Sequence, residues 1–492
     1  MSEENKSDRF SADSLAVGMM VMLAMTIVQR GFGFFRGIWF CRLMDESQVG
    51  IWSMAFGFIT MVTPIMLLGM PGALPRYVEH FRRRGHLTSL VRRVFLATVI
   101  CTAVFVSAIL IAPEWFGWLV FLEPQNTSLI YAVGFAVVAI IMFFFVNELV
   151  SSLRQVRAVS LMQFVQSVVF TVIGVAWLSF GGGLTGLVVA FAIATLCAAL
   201  PGIWLLRRGW SSLQRSTEAF DAAAMWRRLL PYAAALWMMN LLANVFELSD
   251  RYMILHLSPG GEIAGQAAVG QYHSGRIIPM LLISLASMVS GVLMPYLTAE
   301  WEAGKREDVQ RRLRGVLMGI VVAFTGGAAF ALMIAPWLFS TLLQDRYSSG
   351  LALMPMAFVF CIWASLVTIA QNYLWVVEKG KLVGVALAIG LVANLSLNAI
   401  LLPAFGLTGA VVATLLAHGI VMLGIWVAMW KTGYPVDWTM VHLSLLPATL
   451  LSNPWIALAC VTFTLIVSPD AKGWLAVIAK RMPRYRLAWP IH

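Results

Sequence analysis

The sequence predicts an all-α polytopic membrane protein. It would have 12–14 transmembrane helices in two six-helix lobes, a parallel repeat around a central cavity, plus a short C-terminal hairpin. Three observations carry this. The 492 residues are 60% hydrophobic and only 12% charged, whereas soluble domains carry roughly 25% charged residues. The apolar residues fall in repeated blocks of about 20, the length that crosses a ~30 Å hydrocarbon core. A pattern also recurs. VGIW at 49–52 is followed by a span, by PRYVEHFRRRG from Pro75 and by Arg92-Arg93. VGQY at 269–272 is followed by a span, by PYLTAEWEAGK from Pro295 and by Arg311-Arg312. Val49 to Pro75 and Val269 to Pro295 are both 26 positions. Six spans separate the copies, so they share one orientation, as in transporters built from parallel repeats with substrate between the halves.

Taken in order, spans are expected at 14–41, 48–70, 90–112, 128–150, 157–180, 184–206, 229–256, 267–297, 314–342, 351–377, 382–402 and 407–430. The apolar stretch 439–468 is interrupted by Asn453-Pro454. It reads as two short spans, with a re-entrant hairpin as the alternative. The apolar run after the polar N-terminus is too long for a signal peptide and reads as a retained first helix. The resulting organisation is an N-lobe over 1–206, an inter-lobe loop over 207–228, a C-lobe over 229–431, and a hairpin with a basic tail over 432–492. Segments 76–88 and 298–312, which follow spans 2 and 8, read as short amphipathic helices lying at anionic headgroups.

The charge pattern sets the orientation. With the N-terminus in the cytoplasm, cytoplasmic segments hold 23 Lys and Arg residues and the opposite side holds two, Arg42 and Arg346. Basic residues collect on cytoplasmic loops, so the net charge of +11 reports topology and not a nucleic-acid partner. The tail, with Lys472, Lys480, Arg481, Arg484 and Arg486, belongs on the same side. The longest loop, 207–228, is about 22 residues and leaves no room for an extramembrane catalytic domain. No G-x-x-x-x-G-K-[ST] loop is present to cradle ATP. The five cysteines form no C-x-x-C pair and read as small apolar residues. No catalytic residue, metal or cofactor is expected, and the chain is not expected to be an enzyme.

The chemistry is expected from charges inside the spans. Arg30 and Arg36 lie in the first span, Glu247, Asp250 and Arg251 late in the seventh, and Arg276 in the eighth. An Arg at a bilayer-helix centre costs about 2.5–3.5 kcal/mol on insertion scales, so it persists where it faces protein or a wet cavity. The planar guanidinium fork suits phosphate oxygens and keeps its charge when desolvated. Arg30, Arg36, Arg251 and Arg276 are therefore the candidate anion-binding residues. Internal salt bridging between helices is the competing reading, and Arg36 and Arg251 lie near enough to the surface to snorkel. Glu247 and Asp250 balance those charges or couple transport to a proton or sodium ion. His273 and His418 read as hydrogen-bonded or cavity-facing. Asn147, Gln163, Gln166, Asn240, Asn244, Gln371, Asn372, Asn394 and Asn398 read as interhelical hydrogen bonders. Gly33-x-x-x-Gly37 matches a close-packing motif.

The VG-[IQ]-[WY] starts of spans 2 and 8, the proline and basic residues after each, and ELSDRYMI at 247–254 carry a resemblance. The chain resembles the polysaccharide-transporter branch of the multidrug/oligosaccharidyl-lipid/polysaccharide exporter superfamily, which includes the O-antigen-unit flippases, over residues 14–431. That resemblance implies twelve to fourteen spans, two lobes and a central cavity opening alternately to each side. It also implies a glycan on polyprenyl pyrophosphate as cargo, and Arg30, Arg36 and Arg276 on the pyrophosphate. The paired arginines of span 1 also resemble those of the peptidoglycan-precursor flippases. The implied setting is the bacterial inner membrane. The implied partners are a lipid-linked glycan, membrane lipids and other polysaccharide-assembly proteins, with the chain itself a monomer. A cation-coupled multidrug exporter of the same fold is the runner-up, but it would need acidic residues in the cavity that the N-lobe spans lack. A glycan polymerase or ligase would need larger outer loops.

Overall fold

A computed structural model describes residues 15–67, 74, 78, 81–82, 84–121, 126–153, 155–210, 221–258, 262–343 and 347–467. Side chains within 15–24, and those of Arg228, Tyr232, Ala235, Leu236, Met239, Asn240, Ala243, Glu247 and Glu262, also lie outside the description. The helices are α1 (Leu15–Leu43), α2 (Glu46–Met66), α3 (Leu87–Ile111), α4 (Pro113–Phe121), α5 (Thr127–Ser152), α6 (Val156–Ser179), α7 (Leu184–Trp210) and α8 (Ala222–Leu257). They continue with α9 (Glu262–Arg276), α10 (Pro279–Glu302), α11 (Arg306–Leu342), α12 (Ser348–Val376), α13 (Lys381–Lys431), α14 (Trp438–Leu445), a 3-10 turn over Leu446–Leu451, and α15 (Pro454–Val467). Among the described residues there is no strand, and nine helices are long and apolar enough to cross a membrane. The chain is a multi-pass helical membrane protein.

Local chemistry sets the helix ends. The Asp45 carboxylate accepts from Gln48 N at 2.8 Å while the Gln48 side chain accepts from Asp45 N at 3.3 Å, a reciprocal cap that starts α2. Asn126, Asp221 and Asp437 cap α5, α8 and α14 through Ser128, Ala224 and Thr439 amides.

Two expectations need revision. The eighth span, expected unbroken over 267–297, is divided into α9 and α10 at Ile277-Ile278. Pro279 lacks the amide that would continue the ladder, and it opens α10 instead. The eleventh and twelfth spans, by contrast, stand as expected, two helical arms within Lys381–Lys431 separated by a kink at Gly406 with φ 56 and ψ −140. Only glycine adopts that conformation without strain. Gly406→Ala is expected to cost about 1–3 kcal/mol, read as a lower thermal midpoint of the purified protein. Segment 298–312 is no separate surface helix. It is the corner where α10 ends, Gly304 turns at φ 76 and α11 begins, fastened by Arg312 donating to both Glu300 oxygens. Residues 76–77, 79–80 and 83 of segment 76–88, the loop residues 211–220 and the basic tail beyond 467 lie outside the described residues.

The stretch 439–468 is a helical hairpin, α14 with its 3-10 continuation and then α15, turning at Ser452-Asn453. It is tied to the long helices. Trp363 Nε1 donates to Ser444 O at 2.8 Å, Trp426 Nε1 donates to Ser444 Oγ at 3.0 Å, and Arg314 pairs with Asp437 at 2.8 Å.

The described chain forms two compact units. One takes in the described residues of Met1–Ser274, Leu342–Tyr347 and Asn398–Ala410, the other those of Gly275–Thr341, Ser348–Leu397 and Val411–His492. In the first, α7 packs along α5 and α6, and α1 packs along α6. Small residues set this closeness. A Cβ on Gly202 would lie 2.6 Å from both Met162 Sδ and Val146 Cγ1, and Ala198 and Ala199 fill the same seam against Phe143 and Val150. In the second unit α10 packs along α12, and the 3-10 turn bridges α12 and α15.

Candidate functional site

Arg36 sits two turns before the end of α1, and its guanidinium lies over the Phe170 ring of α6, 4.6 Å from the centroid. Its Nη1 reaches Ser167 O at 3.5 Å and Thr171 Oγ1 at 3.4 Å. Both distances exceed the 2.7–3.2 Å of an ordinary N–H···O bond. Among the described residues no carboxylate lies within 4.0 Å of it. The result is a partly buried cation held by an aromatic face, with most of its five donors left for another acceptor. The side chain turns inward onto α6 and does not snorkel. Among the described residues, a Cβ on Gly33 would meet Arg36 Nη2, at 3.8 Å.

Arg30 is exposed and engages no described residue. Its neighbours fix the face of α1 that meets α6: Gln29 O accepts from Ser167 Oγ at 3.2 Å, and Phe32 stacks edge-on against Phe164. Arg30 stands beside that seam.

Phe170 belongs to an aromatic cluster with Phe40, Trp52 and Phe191. The cluster leads from Arg36 to α2, where the next residue is Ser53. Arg251 of α8 donates from Nη1 to Ser53 O at 2.9 Å. It passes over Gly57, whose missing Cβ would stand 3.0 Å from that nitrogen. Arg251 thus binds α8 to α2 and does not snorkel either. Asp250 is buried, accepting from Tyr272 Oη at 2.7 Å and from Asn398 Nδ2 at 3.0 Å. The Glu247 side chain lies outside the described residues. Arg276, in the second unit, is buried with its guanidinium 5.4 Å from the Phe360 ring and Nη2 3.4 Å from Met280 Sδ.

Both histidines are hydrogen-bonded, as read. His273 Nδ1 lies 3.3 Å from Ser53 Oγ, and His418 Nδ1 lies 2.9 Å from Thr414 O. Sequence reasoning passed over Ser53, Phe170 and Tyr272. Tyr272 had a signal, since it is the aromatic of the second VG-[IQ]-[WY] copy. A cavity of about 420 Å³ among α3, α5 and α7, lined by Phe95, Phe145, Leu149, Leu206 and Arg207, includes none of the candidate residues. Among the described residues no cluster of His, Cys, Asp and Glu could hold a metal.

A family model described as polysaccharide biosynthesis protein matches residues 15–301. No curated protein matches the chain. Among solved structures, the chain is similar to a lipid II flippase, MurJ, in an inward closed conformation, with TM-score 0.70, 10% identity, and 94% of this chain and 99% of that one covered. It is also similar to an inward-facing multidrug resistance MATE transporter of the MOP superfamily, with TM-score 0.60, 14% identity, and 88% and 99% covered. A third is a MOP-superfamily transporter from Pyrococcus furiosus described by the reversed polarity of its binding pocket, with TM-score 0.59, 13% identity, and 90% and 99% covered. At these identities the likeness shows the fold.

Proposed function

Because the chain belongs to the polysaccharide biosynthesis protein family, we propose that it flips a glycan carried on polyprenyl pyrophosphate from the cytoplasmic to the outer leaflet by alternating access. The observation that carries this is Arg36. A cation within a span, resting on Phe170 with long contacts and no described carboxylate beside it, is a site prepared for an anion that arrives from outside the protein. Pyrophosphate oxygens complement its fork, and exposed Arg30, on the same helix, offers a second. Arg251 and Arg276 add positive charge, and Asp250 with Glu247 balances it or carries a coupling ion. The cargo reading is tested by deleting the gene and identifying the lipid-linked intermediate that accumulates. A glycan on polyprenyl pyrophosphate supports it, and normal lipid-linked pools sink it.

In this reading the protein sits in a bacterial inner membrane with its N-terminus in the cytoplasm and works as two lobes, 1–206 and 229–431. It acts as a monomeric transporter without cofactor, alongside other polysaccharide-assembly proteins. Reporter fusions after Arg84, Arg215, Arg306 and Arg486 are expected to report cytoplasm, and those after Glu123 and Gly261 the outside. An outside signal at Arg486 would mean an odd number of spans and overturn the paired reading of the hairpin.

A further inference from the structure

The cavity among α3, α5 and α7 takes no part in the site above, and its lining is that of a receptor for an amphiphile. α3 and α7 both pack on α5 and scarcely touch each other, so a cleft opens between them. Buried Phe145 and Leu149 of α5 form its floor. Exposed Phe95 of α3, its ring centroid 5.2 Å from that of Phe145, forms one wall, and Leu206 of α7 the other. A single cation, Arg207, completes the lining, with Trp210 one turn further along α7. Arg207 is exposed and engages no described residue. Among the described residues no carboxylate lies within 4.0 Å of it. The polarity is graded along the helices. Phe95 stands eight residues after Leu87, the start of α3, Phe145 seven before Ser152, the end of α5, and Trp210 is the last residue of α7. At 1.5 Å per residue the cleft lies within about 12 Å of one end of all three helices. On the proposed topology that end is cytoplasmic. The apolar walls then stand at the depth of acyl chains, and Arg207 and Trp210 at the headgroups, where basic and aromatic residues collect.

We infer that the cleft binds an anionic phospholipid of the cytoplasmic leaflet, with one acyl chain between α3 and α7 and the phosphate on Arg207. Charge selects the head. A guanidinium with no carboxylate beside it complements phosphate oxygens, and no described acidic side chain lines the cleft to receive the ammonium of a zwitterionic lipid. Basic pockets between spans on the cytoplasmic side are where anionic headgroups bind. Size selects the tail. At roughly 30 Å³ per water-sized group, a cavity of about 420 Å³ takes about fourteen such groups, one fatty acyl chain and not a long polyprenyl chain. The bound lipid supplies the packing between α3 and α7 that the protein lacks. The leaflet follows from the proposed topology, while the site itself is independent of the cargo reading.

The test titrates the full chain, purified in mild detergent, with phosphatidylglycerol or phosphatidylcholine and counts bound lipid by native mass spectrometry. One phosphatidylglycerol should bind about tenfold more tightly than phosphatidylcholine, the scale of one hydrogen bond to a charged group. Arg207→Ala should erase that preference. Leu206→Trp, which fills the cleft, should remove the tight binding of either lipid. Lys305→Ala, at an exposed cation of α10's far corner, should leave the preference intact. An equal loss in Lys305→Ala overturns the inference, because the lipid then answers to diffuse surface charge. Tight binding that survives in a folded Leu206→Trp protein overturns it as well, because the lipid then lies outside the cleft. Displacement of phosphatidylglycerol by an equimolar polyprenyl phosphate also overturns it, by giving the cleft to the cargo's carrier. Should Leu206→Trp not fold, the wild-type chain supplies the second arm. Phosphatidylglycerol with a diazirine in its acyl chain should crosslink to peptides holding Phe95, Phe145 and Leu206, and crosslinks confined to other helices refute the site.

Discussion

Arg36→Ala is expected to abolish transport of the lipid-linked glycan while the protein still inserts and accumulates. Two hydrogen bonds to a charged phosphate contribute about 1.5–3 kcal/mol each, which corresponds to roughly 10²–10⁴ in affinity. The structural loss is smaller. Arg36 gives up a ring contact of about 0.5–2 kcal/mol and two contacts at 3.4 and 3.5 Å that are too long to hold much. Arg36→Lys should restore activity only in part, because an ammonium cannot reproduce the bidentate fork. Arg30→Ala should also stop transport, at even less cost to folding, since Arg30 is exposed and engages no described residue. The measurement is accumulation of the lipid-linked intermediate beside an immunoblot of the membrane fraction. Full transport by the Arg36→Ala variant would remove the residue from the site, and loss of the protein would assign it to folding.

Asp250→Ala is expected to be the most destabilising of the charge substitutions. The Tyr272 hydroxyl and the Asn398 amide both donate to that buried carboxylate. An orphaned buried donor costs about 1–3 kcal/mol in soluble proteins, while hydrogen bonds within a membrane protein average nearer ~0.6 kcal/mol. A total of about 1–3 kcal/mol follows, seen as a drop of the thermal midpoint in detergent. Asp250→Asn keeps one acceptor oxygen and should lose about half as much. The alternative is that Asp250 carries a coupling ion. Then Asp250→Asn stays near wild-type stability, still binds cargo and no longer responds to the ion gradient. The same comparison applies to Glu247→Gln, one turn earlier. If Glu247 balances arginine charge, its loss should lower expression, and a second change at Arg251 or Arg276 should partly restore it.

Most of the helical architecture was legible because bilayer thickness dictates segment length, and 20-residue apolar blocks leave little choice. What escaped was whatever depends on a single backbone position. The apolar pattern runs smoothly through 267–297 and conceals the break at Ile277-Ile278, where Pro279 acts against hydropathy. The nine-residue helix α4, which opens at Pro113, was not anticipated either, since a short apolar segment gives no length signal. For the site, residue type marked Arg36 and Asp250 as buried charges in need of partners. The partners themselves come from elsewhere in the chain. Phe170 is 134 positions from Arg36, and Asn398 is 148 from Asp250. No local pattern encodes such a meeting.

The contact between the two VG motifs has the symmetry of a dimer. Gly50 meets Gln266, Gly270 meets Glu46, and Ser53 meets His273: residue i touches j′, j touches i′, and one residue touches its own equivalent. That is the signature of an isologous interface, the kind two identical subunits make across a two-fold axis. A half-length chain pairing with a second copy of itself would form this same crossing with one glycine doing the work of both. Such a dimer would carry its glycine under a double constraint, since a single substitution would strike the interface twice. In a single chain each glycine is its own residue, and a substitution strikes the crossing once. Where a dimer would set identical residues face to face, this chain places Ser53 opposite His273 and Glu46 in register with Gln266, so the two sides of the crossing carry different chemistry.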